Sequence, residues 1–449
     1  MVVRTIKHFL INYLILVKYD KRSIRNTIIL LAILIMTHNK SFTSNLEAIT
    51  LYNKATLLLT QKKYEKAVVL FKKSLKLEEC ADAWLNLGTC YKYLDLDSLC
   101  LEAFKKAASG LHSHTNKDIK ALALNNIGLM QYVNGNDVLA EKSFDSALEI
   151  IPSGFNDCLW NKATCVLRQV CSGMTDRWAE GWDLYERRLD KTSVVTIDNM
   201  FGPIAHKIWC GQRDCRVIFA QEQGIGDNIM FARFLPQLES EYGIKASLQV
   251  NPSLGVLLSL NGIDCPIDID ISAYDYVLPL GSVCRFARYV DSLPYIKHSS
   301  SLSLGSELNI GVVWSGSSTH VNDRHRSCPV GYFKELTKFG KLWNLNPSVK
   351  SRDLPSWVSP LEISTWTDTA AALNALDLVV TVDTSVAHLA GAMGVPCYML
   401  QPRKETDFRH GSPVKAYRGN NIWYESLTVV PNPSDWSKCM DNLNKALIE

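Results

Sequence analysis

The chain has 449 residues, 47% hydrophobic and 21% charged, an ordinary globular composition with enough length for about two to four domains. Its net charge of +3 is unevenly spread: Arg4, Lys7, Lys18, Lys21, Arg22 and Arg25 against Asp20 place +5 in the first 36 residues and leave −2 on the remainder. On charge grounds the body of the protein is therefore not a nucleic-acid binder. The 13 cysteines are odd in number and form no C-x-x-C pair, and Cys210 and Cys215 lack a matching downstream Cys/His pair, so neither a disulfide framework nor a zinc ribbon is expected. That usage fits a reducing, cytoplasmic setting.

Residues 1–46 are an uncertain extension or anchor. His8 to Val17 and Thr27 to Met36 are apolar runs too short to span a bilayer, separated by the charged stretch Lys18 to Arg25. A signal peptide would need a small-residue cleavage site, which does not follow convincingly. Met36 as the true start is the favoured reading, with a peripheral anchor as runner-up. The expected location is cytoplasmic; any membrane association would run through residues 1–35 only, peripherally at the inner membrane.

Residues 47–190 read as helical repeats. The clearest unit is Trp84-x-x-Leu87-Gly88-x-x-Tyr91 followed by Cys100, Phe104 and Ala107. Ala55, Ala67 and Phe71 stand 33 residues before Gly88, Cys100 and Phe104. Gly128, Ala140 and Phe144 follow 40 residues after the middle copy, the polar segment His112 to Asp118 absorbing the difference. Small residues at such positions let paired helices approach, while aromatics fill the gap to the next pair. The pattern resembles the tetratricopeptide repeat. A degenerate fourth unit, about 155–190, ends in Trp182 to Leu189 and is expected to cap the array against the next domain.

From about residue 208 strands alternate with helices. Strands are expected at Arg216 to Gln221, Ala246 to Val250, Tyr276 to Leu280 and Leu308 to Trp314, with helices at Asp227 to Tyr242 and Pro252 to Leu260. The serine-rich stretch Ser299 to Ser306 reads as a linker. Two Rossmann-like lobes, 208–302 and 303–449, with a cleft between them are the expectation, and the overall class is α + α/β.

Three segments carry chemistry. In Gln221 to Asn228, Gly224 and Gly226 permit a sharp strand-to-helix turn, and Asp227 opens the helix as a cap or as a general base. The helix dipole favours a lowered pKa for Asp227 unless burial compensates. In the second lobe, Trp314 and Ser315 end a strand and lead into a polar loop. Its Arg324 and Arg326, two residues apart, suit bidentate phosphate contacts, although a solvated loop is the ordinary alternative. The third segment runs from Asp377 to Pro396. Leu378 to Val382 is a buried strand, Asp383, Thr384 and Ser385 are helix-capping types, and a small-residue helix Val386 to Met393 closes at Gly394. Such a turn offers backbone N–H groups to an anion, with His388 one turn into the helix, or is simply a well-capped βα unit.

Together these motifs carry a resemblance. Residues 47–449 resemble bacterial tetratricopeptide proteins with a glycosyltransferase-like C-terminal region. The two-lobed part resembles the heptosyltransferase family, glycosyltransferase family 9, of GT-B architecture. The matching runs are Gln223 to Asp227, Val312 to Gly316, Asn322 to Ser327 and Val382 to Pro396. The resemblance implies a nucleoside-diphosphate sugar as donor substrate, no metal and no other cofactor, and a protein or glycan acceptor reached through the concave face of the repeats. It places Asp227 as catalytic base and Arg324 near the donor phosphates. Thr384, Ser385 and His388 match the diphosphate turn, with Gly224, Gly226, Trp314, Ser315, Arg326 and Asp383 on the donor side. Ser385 stands where heptosyltransferases usually have Gly, the first lobe is short, and Gln401 to His410 is only loosely similar. The short lobe suggests that the repeats supply part of the acceptor site, and the final helix, Trp436 to Ile448, is expected to cross back onto the first lobe. The alternative function is a non-catalytic interaction protein whose lobes only scaffold. A Rossmann dehydrogenase is disfavoured by the lack of G-x-G-x-x-G with its acidic ribose binder.

Overall fold

The computed structural model describes residues 40–109, 117–190, 201–287, 289–299, 302–320, 322–346, 349–411, 421–432 and 434–448. The expectations for residues 1–39 and for most of the polar segment His112 to Asp118 lie outside them. No helix among the described residues is long and apolar enough to cross a membrane. The cysteines are free thiols, most of them buried. The chain divides into two compact units, one up to Leu124 and one from Asn125 onward.

The first unit holds α1 (Lys40–Thr60), α2 (Tyr64–Leu77), α3 (Ala81–Tyr93) and α4 (Asp97–Ala108), and the start of α5 (Lys117–Val133). α1 pairs with α2 and α3 with α4. The repeat spacing has a direct steric cause. A β-carbon on Gly88 would stand 2.5 Å from the Phe104 ring, and one on Gly128 would meet Phe144 at the same distance. Glycine in one helix and phenylalanine in its mate therefore form a single packing device. The hairpin turns repeat as well: Lys62, Asp95 and Gly135 all take left-handed backbone, with φ of 57°, 57° and 73°.

In the second unit, α6 (Asp137–Ile150) packs on α7 (Asn156–Cys171), and α7 on α8 (Trp178–Tyr185). α8 is the capping helix of the degenerate unit. Its Trp182 is fully buried, with ring centroids 5.8 Å from Phe231, 6.0 Å from Phe408 and 6.4 Å from Trp423. Arg188, just after α8, is buried and donates from Nε and Nη2 to the two Glu222 carboxylate oxygens, at 2.9 and 2.6 Å. The last repeat is thus built into the core of the lobes.

The first lobe comprises β1 (Arg216–Ala220), α9 (Ile225–Ala232), α10 (Phe234–Tyr242), β2 (Lys245–Gln249), α11 (Pro252–Ser259) and β3 (Tyr276–Pro279), with parallel strand order β2-β1-β3. The single helix expected over Asp227 to Tyr242 is two helices that meet at Arg233. Pro236 is the cause: it has no N–H to give the Ala232 carbonyl, and its ring crowds that carbonyl. Gly243 ends α10 in left-handed backbone, φ 68°.

The second lobe contains β4 (Asn309–Val313), α12 (Asp323–Arg326), β5 (Lys341–Asn344), β6 (Val358–Ser359), α13 (Trp366–Asn374), β7 (Leu378–Val382), α14 (Ser385–Met393), β8 (Cys397–Leu400), β9 (Leu427–Val430) and α15 (Trp436–Ile448). Its strands are all parallel, in the order β6-β5-β4-β7-β8-β9. β4 and β7 are buried along their whole length, as a sheet covered on both faces requires. α15 does not cross back to the first lobe. It buries Cys439, Met440 and Leu443 in the second lobe's own core, and Tyr398 Oη donates to the Ala446 carbonyl at 3.1 Å. Its apolar positions recur at helical spacing and match the face of β8 and β9, so burial is satisfied where the chain already lies.

Gly88→Ala and Gly128→Ala should each lower stability by about 1–3 kcal/mol, the usual cost of overpacking a tight contact, read as a drop in thermal midpoint. Phe104→Leu combined with Gly88→Ala should recover part of that loss. A midpoint unchanged by Gly88→Ala would contradict the glycine–phenylalanine device.

Candidate functional site

Because all strands of each sheet are parallel, their carboxyl ends share one edge, and loops leaving that edge are where chemistry-bearing residues collect. The turn after β1 is tight. Its left-handed residue is Gln223, φ 60°, and not Gly224, whose φ is −87°. Gln223 is held there by a 2.7 Å bond from its side-chain amide to the Tyr185 hydroxyl. Gly224 caps α9, and Asp227 accepts its N–H at 2.8 Å. Gly226 is required for another reason: any β-carbon there would collide with the His388 ring of α14. At α9 and α14 the two lobes are thus in direct contact, where a cleft was expected.

Beneath this contact lies an ionic cluster. The guanidinium of Arg409, only 7% exposed, pairs with Asp227 and with Asp407. Arg409 Nε donates to Asp407 at 2.7 Å, and Trp423 Nε1 donates to the Arg409 carbonyl at 3.2 Å. His410 Nε2 stands 3.6 Å from the Asp383 carboxylate. The His388 and His410 rings lie 5.5 Å apart, and His388 Nδ1 is 3.2 Å from the Tyr424 hydroxyl. Burial pushes the Asp227 carboxyl above its ordinary range, against the lowering by Arg409 and by the Gly224 N–H. Burial also acts to raise Asp407 and Asp383, but Arg409 and His410 respectively outweigh it and hold both low. Burial, with His410 beside it, lowers His388 to about 3, so its imidazole is neutral at pH 7.

The β7–α14 turn has the strand-turn-helix form expected from the sequence. Thr384 caps α14 by position only: its side chain makes no capping bond, and its hydroxyl lies 3.0 Å from that of Thr381. The first-turn N–H groups of α14 therefore have no side-chain cap, and Ser385 is half-buried beside them.

Other expected site residues fall elsewhere. Trp314 is buried in the second lobe's core, its ring 6.4 Å from that of Phe333, because it continues the inward face of β4. The Ser315 hydroxyl lies 3.2 Å from the Asn346 side chain. Arg324 is exposed on α12, and Arg326 lies over Gly316. Their loop is nevertheless tied to the segment leading to Arg409, since Asn322 Nδ2 donates to the Lys404 and Glu405 carbonyls at 3.1 Å each. A hollow of about 550 Å³ beside α11, lined by Val250, Pro252, Val256, Leu260, Cys265 and Ile267 among others, includes none of these residues.

Sequence reasoning missed Asp407, Arg409, His410 and Tyr424. The available signal was D-F-R-H, Asp407 to His410, an ionic run downstream of a short apolar strand.

No family model matches the chain. It is similar to Protein FlbA of Caulobacter vibrioides, 24% identical over 277 residues, a match covering 50% of this chain and 45% of that protein, so it spans less than half the length of this relative. Among solved structures it is similar to the E. coli heptosyltransferase WaaC with ADP-2-deoxy-2-fluoro heptose (13% identity, TM-score 0.37, covering 52% of this chain and 99% of that one). It is also similar to an O-GlcNAc transferase variant of Thermobaculum terrenum (13% identity, TM-score 0.33, covering 90% of this chain and 89% of that one). The architecture of the chain rests on the helix pairs and strand order themselves.

Arg409→Met leaves two carboxylates buried without their cation and should cost about 3–5 kcal/mol, seen in urea denaturation at neutral pH. Arg409→Lys should recover part of it. A loss under about 1 kcal/mol, the range of exposed pairs, would show that the cluster is solvated.

Proposed function

We propose that this protein is a glycosyltransferase that moves a sugar from a nucleoside-diphosphate sugar to a hydroxyl of a protein or glycan acceptor. The observation that carries the reading is the meeting of two turns. One bears Asp227 and the other bears the uncapped N-terminus of α14, each at the carboxyl edge of a parallel sheet. In this reading the α14 amides receive the donor phosphates, where they offset charge on the departing diphosphate. Asp227 takes the proton from the acceptor hydroxyl as its oxygen attacks the anomeric carbon. Arg409 positions Asp227, and the helical repeats offer the surface for the acceptor or another protein partner.

A second reading has its own observation. Both carboxylate oxygens of Asp227 are engaged, one by the Gly224 N–H and the other by Arg409. That is what a purely structural aspartate looks like, in a protein whose repeats bind a partner and whose lobes only scaffold.

Calorimetric titration with a panel of nucleoside-diphosphate sugars, followed by transfer assays with the donor that binds, separates the two. Asp227→Asn should lower kcat by about 10²- to 10⁴-fold while donor affinity holds. Absence of donor binding across the panel supports the scaffold. The pH profile adds a sign. Asp227 must lose its proton to act, so kcat/KM should rise with pH through a pKa above the ordinary aspartate value of about 3.9. Removing the opposing charge with Arg409→Met should move that limb to still higher pH, and Arg409→Lys should move it less.

A further inference from the structure

We propose that Asp383, His388 and His410 bind a divalent transition-metal ion, of the zinc type by their chemistry, where α9 and α14 meet. One ligand atom from each lies within 4.8 Å of the other two, and Asp383 and His410 are already at 3.6 Å. Ligand atoms around tetrahedral zinc, with bonds of about 2.0–2.1 Å, stand roughly 3.3 Å apart, so side-chain shifts on the order of 1 Å close the set on an ion.

Three separate features point to a cation there. First, His410 is 6% exposed; its Nδ1 has no hydrogen-bond partner among the described residues, and its Nε2 has only the Asp383 carboxylate at 3.6 Å, beyond hydrogen-bond length. A buried imidazole left in this state is costly, and ligation satisfies it. Second, among the described residues Asp227 and Asp407 share the one guanidinium of Arg409, and the Asp383 carboxylate beside them has His410 as its ion-pair partner, so a divalent ion would balance the remaining carboxylate charge. Third, His388 turns Nδ1 to the Tyr424 hydroxyl at 3.2 Å, which leaves Nε2 for an ion. This is the outer hydrogen bond that orients metal-bound histidines.

Two imidazoles and a carboxylate select zinc, cobalt or nickel over magnesium or calcium. Three protein ligands leave a position open to water or a phosphate oxygen, beside the uncapped start of α14. The proposal departs from the sequence-based expectation of a metal-free site. The proposal stands apart from glycosyl transfer because metal binding alone reads it out.

The test uses the full chain, stripped with a chelator and titrated with Co²⁺ by visible absorption and with Zn²⁺ by calorimetry. One equivalent should bind, with ligand-field bands and no thiolate charge-transfer band, and should raise the thermal midpoint. His410→Ala should abolish that binding, and His410→Gln, which keeps the ring's volume more nearly, decides the matter if the alanine variant does not fold. Tyr424→Phe should weaken affinity by about 10- to 100-fold, the usual effect of losing an outer hydrogen bond. The proposal is overturned by no stoichiometric binding, by binding undiminished in His410→Gln, or by a thiolate band placing the metal on the free cysteines.

Discussion

A buried guanidinium sets the terms for the second compact unit. Arg409 can stay out of water only with its charge matched, and Asp227 and Asp407 match it. Asp227 lies 182 residues away in the sequence, on the other lobe. The pair therefore draws the α9 turn of the first lobe onto the loop that follows β8 in the second. Once those segments are adjacent, α9 has to run close to α14, and Gly226 has room for no side chain against His388. Arg233 adds a second tie, lying 4.5 Å from the Tyr424 ring and donating to the Trp423 carbonyl.

The same economy explains how a small lobe folds. A three-stranded sheet exposes too much apolar surface relative to what its own helices cover. The last repeat supplies the missing cover. Ala163, Leu167 and Trp182 share one core with Val217 and Phe219 of β1 and with Phe231 of α9. The Arg188–Glu222 pair, with Gly281 N–H and the Ser282 hydroxyl completing its hydrogen bonds, fixes the direction of that contact. The degenerate sequence of the fourth repeat is thus the sequence of an internal interface.

Local rules made much of this legible. The segment Leu378 to Gly394 folds as its residues dictate, because a fully buried strand, a capping turn and a left-handed glycine each act over a few residues. The repeat was legible because the Gly88–Phe104 contact recurs at fixed spacing as Gly128–Phe144. The break at Arg233 was equally local, since Pro236 causes it, but the sequence reading passed over it and expected one helix. Other features were not local. Nothing in Trp314 distinguishes a donor-facing indole from a core one; its register at the end of β4 decides it. Asp407, Arg409 and His410 looked like a polar loop, because a charged run reads as solvated until its partners are known.

The sequence by itself determined the class of the protein: paired-helix repeats followed by two parallel α/β lobes, with tight strand-to-helix turns that open α9 and α14. Those properties follow from periodicity, capping and chain stereochemistry, which act between near neighbours. Only the tertiary structure decided that the capping repeat belongs to the core of the lobes, that α15 stays on the second lobe, and that Asp227 is paired with Arg409. It alone brought Asp383, His388 and His410 to one point. Burial and charge balance are properties of the assembled interior, and no stretch of sequence carries them until residues far apart in the chain are packed together.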